Sequence, residues 1–311
     1  MRKSIIITSI VGVSAIALGI TGGYFLHSFL AGGTIENADA GTGANDYSSI
    51  AKIVEAKKGS DYTASLSPRQ MVTYAINSFI ESPSFFAEGI GVASAGSLAT
   101  QEIRSHFVHT GNQYFEESLS HSSFVDLADR MYQTGDSTVT YHGGTNNGNV
   151  EEGVFPDKST TYSNTDYATK YGRKVSDVCS YTIADDYVVK AGEKNLKGTT
   201  SGDEPTGSVK TDEGYTVYLE LDAYYSVGNY KIQMQAISSL AQLPSFQFVH
   251  LTFNLDSELK LLKLTTHEYY YAKTSAGVGS NIDGRLVTTY ATDGEYTVPE
   301  LNTPLPYTTG E

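Results

Sequence analysis

Apolar positions recur along this chain in three rhythms, and each predicts a different kind of element. The first is unbroken. Residues 5–25 (IIITSIVGVSAIALGITGGYF) carry no charged side chain, and about 20 apolar residues are what a helix needs to cross a bilayer core. Arg2 and Lys3 precede the run, and the first charges beyond it are acidic, Glu36, Asp39 and Asp46. That asymmetry sets the N-terminus inside and the rest of the chain outside. Residues 1–31 are therefore expected to form a cytoplasmic start and a single transmembrane anchor. Residues 32–60, rich in Gly, Ala, Asn and Asp, are expected to form an extracellular linker. The alternative is a cleaved signal peptide, with Ala38-Asp39-Ala40 as the processing site and a secreted product.

The second rhythm is helical. Val72, Ala75, Ile76, Phe79 and Ile80 fall on one helix face. Ser67-Pro68-Arg69-Gln70 announces the start, with Ser67 as N-cap, Pro68 at the first helical position and Gln70 placed to complete a capping box. Ser82-Pro83 ends it. A shorter amphipathic helix is expected around Ile50, Ile53 and Val54, and others around Phe124 to Met131 and over residues 165–171.

The third rhythm has period two and dominates the remainder. In FFAEGIGVAS, Phe86, Glu88, Ile90 and Val92 alternate with Ala87, Gly89, Gly91 and Ala93, giving one face of large side chains and one of very small ones. Strands are expected over 100–110, 113–119, 138–142, 187–190, 215–222, 230–236, 249–255, 259–272 and 286–290. Their links are short, which favours an antiparallel meander over a parallel sheet. Residues 61–311 are read as one β-rich extracellular domain.

Composition narrows the function classes. The formal charge is -14, a surface that repels phosphate backbones, so nucleic acid is not an expected partner. The single cysteine, Cys179, excludes an intramolecular disulfide, so packing alone must hold the fold. Twenty-three tyrosines and no tryptophan suit half-buried strands and equally suit recognition surfaces.

The chain offers little reactive chemistry. His106 and His109 lie an odd number of residues apart on one predicted strand, so they face opposite sides and cannot chelate one ion. Ser257 and Lys260 have the Ser-x-x-Lys spacing of penicillin-binding enzymes but fall in a predicted turn, without the companion motifs. Leu305-Pro306-Tyr307-Thr308-Thr309-Gly310 departs from the sortase motif by one extra threonine. No enzyme activity, metal or cofactor is expected.

The order of elements is an apolar export segment, a capped helix, a strand meander, a helical interruption and a second meander of long alternating strands. In that order, over about residues 65–290, the chain resembles the lipoprotein-carrier superfamily of the LolA and LppX type. The resemblance implies an α+β, mostly β fold in which a curved, open antiparallel sheet, a half-barrel, packs on one or two helices and offers an apolar surface to acyl chains. It supplies no functional residue, and an uncleaved anchor departs from a soluble carrier. The expected function is a membrane-anchored, non-enzymatic extracellular domain that binds an apolar or lipid-like ligand. Ile232, Met234, Leu251 and Phe253 are the expected lining. The alternative is a cell-surface module that contacts another protein through Tyr224, Tyr225, Tyr269, Tyr270 and Tyr271.

Overall fold

The computed structural model describes residues 47–96, 100–111, 113–122, 126–135, 137–145, 159–166, 207–221, 240–273, 277–292 and 294–299. The expected anchor, with Ile232, Met234, Tyr224 and Tyr225, lies outside these residues, as do the expected strands over 187–190 and 230–236. Among the described residues, no helix is long and apolar enough to cross a membrane.

Helix α1 (Tyr47–Ala56) is followed by a 3-10 turn (Tyr62–Ala64) and helix α2 (Pro68–Ile80). α1 falls within the stretch expected as linker, yet Ile50 and Val54 enter the core. α2 begins as its sequence requires: the Ser67 hydroxyl accepts from the Gln70 amide and the Gln70 side chain accepts from the Ser67 amide.

The remaining described elements are strands: β1 (Ser84–Ala95), β2 (Thr100–Thr110), β3 (Gln113–Ser122), β4 (Asp126–Thr134), β5 (Ser137–Thr145), β6 (Ser159–Ser163), β7 (Gly207–Lys210), β8 (Gly214–Leu221), β9 (Ser245–Asp256), β10 (Leu261–Lys273) and β11 (Gly279–Ala291). They form one open sheet in the order β6-β5-β4-β3-β2-β1-β11-β10-β9-β8-β7. Every neighbouring pair is antiparallel. Two meanders thus meet at a central seam between β1 and β11. The short helix expected around Phe124 to Met131 is instead β4, because pairing with β3 and β5 satisfies its backbone on both sides.

α2 lies across the strands. The turn before it is fixed at β8, where the Tyr62 and Tyr215 rings meet at 5.8 Å and the Tyr62 amide donates to Tyr215 Oη at 3.2 Å. Near its other end, Phe79 packs on Phe85 of β1 at 4.5 Å and Tyr290 of β11 at 5.0 Å. From β8 to β1 is four strand spacings, about 19 Å, and thirteen helical residues rise about 20 Å. One helix therefore spans five strands. Met71, Val72, Ala75, Ile76 and Phe79 are buried, and so is the polar stripe Arg69, Thr73, Asn77 one turn apart.

β1 turns its small face to the helix side. Ala87, Gly89, Gly91, Ala93 and Ala95 point there, while Ile90 and Val92 stay exposed on the opposite face. The space above the small residues is taken by neighbours. A side chain at Gly91 would run into the Arg285 carbonyl and stand 2.9 Å from Leu286 Cα; one at Gly89 would run into Ser105 Oγ.

Candidate functional site

The helix face of the central five strands is built in cross-strand rows. Phe253, Leu264, Thr288, Gly89 and Ser105 make one row across β9, β10, β11, β1 and β2. Leu251, Thr266, Leu286, Gly91 and Ile103 make the next, and Val249, Glu268, Gly284, Ala93 and Gln101 the third. The structure thus brings Leu251 and Phe253 together on this face, two residues apart on β9. They are 1% and 0% exposed and belong to the main core cluster with α2.

The third row has a different character. Glu268 and Gln101 stand on β10 and β2 with only Gly284 and Ala93 between them. Three strand spacings separate them, about 14 Å between backbones, over a floor with almost no side chain. Glu268 is 0% exposed and Gln101 is 1% exposed. Among the described residues, neither polar atom of the Gln101 amide has a hydrogen-bond partner, and the same is true of Ser105 Oγ in the first row. An unpaired buried polar group costs about 1–3 kcal/mol, so one that persists calls for an explanation. Tyr270, two residues beyond Glu268 on the same face, has its phenol pKa raised well above the usual value by burial, with the Glu268 charge adding to the effect. These polar groups were invisible in the sequence pattern. An isolated Gln and Glu at inward strand positions read as outward ones until register places them.

The opposite face carries a charged ladder across β1 to β4. His106 Nε2 lies 3.1 Å from Glu88 Oε1, His106 Nδ1 lies 3.3 Å from Glu117 Oε1, and Arg130 Nε donates to Glu117 Oε2 at 2.7 Å. Both imidazole nitrogens face carboxylate oxygens. A neutral ring has one donor and one acceptor nitrogen, so only the cation satisfies both contacts. The Glu117 hydrogen bond accordingly raises the His106 pKa, burial opposes it and Glu88 adds to the rise. His109 points to the other face, stacks on Phe85 at 5.0 Å, and has its pKa lowered by burial. Further along the opposite face, His267 Nε2 is 2.9 Å from Asp283 Oδ1, beside Phe248 and His250. Among the described residues, no group of three or more His, Cys, Asp or Glu is placed to hold a metal ion. Ser257 and Lys260 sit on the β9–β10 turn, where Asp256 Oδ1 accepts from the amides of Glu258 and Lys260.

The tyrosines offered as surface contacts divide. Tyr270 is completely buried on the helix face, so it cannot be a contact; Tyr269 and Tyr271 are half-buried on the opposite face.

No family model matches this chain, and no curated protein matches it. Among solved structures, it is similar to a LolA superfamily protein from Nitrosomonas europaea, with 11% identity and a TM-score of 0.22, covering 73% of this chain and 92% of that one. It is also similar to a variant of the PpsC dehydratase domain from Mycobacterium tuberculosis, with 9% identity and a TM-score of 0.16, covering 74% and 85%. The same domain in complex with C12:1-CoA matches with 8% identity and a TM-score of 0.12, covering 71% and 82%. Likenesses this slight carry no functional argument.

Proposed function

We propose that this protein is a membrane-anchored, non-enzymatic extracellular domain that binds an amphipathic, lipid-like ligand on the helix face of its sheet. One observation carries the reading: the buried Gln101 amide, without a partner at either polar atom among the described residues, on a face floored by Gly284 and Ala93 whose other buried polar groups in these rows are Glu268, Ser105, Thr266 and Thr288. Ligand sites are mostly apolar with a few placed polar groups that fix orientation. In this reading Gln101 takes the polar end of the ligand, and the apolar rows containing Leu251 and Phe253 take its chain. With those two residues packed, binding requires α2 to shift. Its buried Thr73 hydroxyl has no hydrogen-bond partner among the described residues, which makes the closed arrangement easier to leave than a satisfied core. The anchor is the apolar run at residues 5–25.

The test is mass spectrometry of an organic extract of the purified protein, with uptake of a fluorescent fatty acid. A stoichiometric acyl lipid is expected. Gln101→Leu is expected to lower lipid content and probe affinity about tenfold while leaving the melting temperature unchanged or raised, since it removes an unsatisfied amide. A lipid-free protein that takes up no probe overturns the reading.

A further inference from the structure

The exposed apolar residues of β1 and β11 form one patch on the opposite face. Ile90 is 56%, Val92 46% and Val287 40% exposed. They are contiguous, because Ile90 pairs with Val287 across the seam and Val92 lies two residues along the same strand face. The patch is in the middle of the sheet and owes nothing to a frayed edge. Packing inside one copy requires the small residues of β1 to face inward, and that leaves Ile90 and Val92 on the outer face.

Beside Val92 the charges are arranged across β1 with opposite signs, while Ile90 in the adjacent row stands between Val287 of β11 and Arg104 of β2. Val92 pairs with Arg285 of β11 on one side and with Glu102 of β2 on the other, both exposed; Arg285 Nε also lies 4.0 Å from Asp283 Oδ1 of its own strand. Sheets that pack face to face lie about 10 Å apart with strands about 30° from aligned. A two-fold axis running along β1 between two such sheets lays Ile90 and Val92 near their own copies. The same rotation carries Arg285 of each copy over Glu102 of the other. A row that reads cation, apolar, anion is self-complementary under that operation, as an isologous interface must be.

We infer that the patch is the contact between two copies of this chain, joined about a two-fold axis along β1 with Arg285 and Glu102 exchanged between them. The contact is on the face away from α2, so it is independent of the proposed ligand.

Symmetry supplies the test. A residue near a two-fold axis meets itself, so Val92→Cys in full-length protein carrying Cys179→Ser is expected to form a covalent pair of chains under mild oxidation in native membranes. Val209→Cys, equally exposed but on β7, is the control and is expected to couple about tenfold less. Arg285→Glu is expected to reduce the Val92→Cys product severalfold, and adding Glu102→Arg to restore it, with thermal melts verifying that each variant is folded. Coupling at Val92 no greater than at Val209 overturns the inference. So does a loss with Arg285→Glu that the reciprocal change fails to rescue, or a Val92→Cys product made with a different protein.

Discussion

His106 shows how much one side chain's state depends on residues that are distant in sequence. Its raised pKa means its contribution to stability is complete below the ordinary histidine value, near 6.5, and is lost as pH climbs through the raised folded value. His109 has the opposite sign: its lowered pKa costs stability as pH falls below the ordinary value. Thermal melts against pH should therefore peak in the histidine range, and His106→Gln should abolish the alkaline-side loss while leaving the acid-side loss. An alkaline limb unchanged in His106→Gln would refute this account. Glu117 and Arg130 are both buried, so Glu117→Gln should cost about 3–5 kcal/mol in urea unfolding, and replacing both by methionine distinctly less. That His106 and His109 face opposite sides was legible in their odd spacing. The partners of His106 were not, because Glu88 and Glu117 lie 18 and 11 residues away and only strand register brings them alongside.

At the scale of elements, legibility followed local chemistry. The start of α2 could be read residue by residue because a capping box is a contact between neighbours. The alternation in β1 was equally plain, but period two specifies that a strand has two faces, not which one is turned inward. The helix side took the small face, since Leu286 folds over Gly91 and Ser105 over Gly89. Gly91→Val should accordingly destabilise by about 3 kcal/mol or more, because the new atoms meet the Arg285 carbonyl, which cannot move without breaking the seam. Val209→Thr, an exposed change on β7, should cost under about 0.5 kcal/mol in the same melts. β4 was read as helix because its apolar residues happened to fit a helical face; backbone pairing on two sides overrode that spacing. The inward Gln101 and Glu268 escaped notice for a related reason: a lone polar residue in a strand carries no mark of which face it lies on.

For the whole molecule, the two meanders and their antiparallel sense followed from short links between alternating strands. The order of the sheet did not, since nothing local requires the first strand to pair with the last. That pairing puts the midpoint of the sheet at the seam, and both readings of this protein depend on it. The row from Glu268 to Gln101 crosses the seam on one side of the sheet, and the patch of Ile90, Val92 and Val287 spans it on the other.

The seam also dictates timing. Thr289 donates to the Glu88 carbonyl across 201 residues of sequence, and at about 5–20 residues per second of synthesis that interval is roughly 10–40 s. During that time β1 can pair with β2 but presents a bare edge to its surroundings, with Ile90 and Val92 on it. A newly made chain is thus most exposed to misassembly in its first meander, and a holding factor or an early contact with another nascent copy would act there.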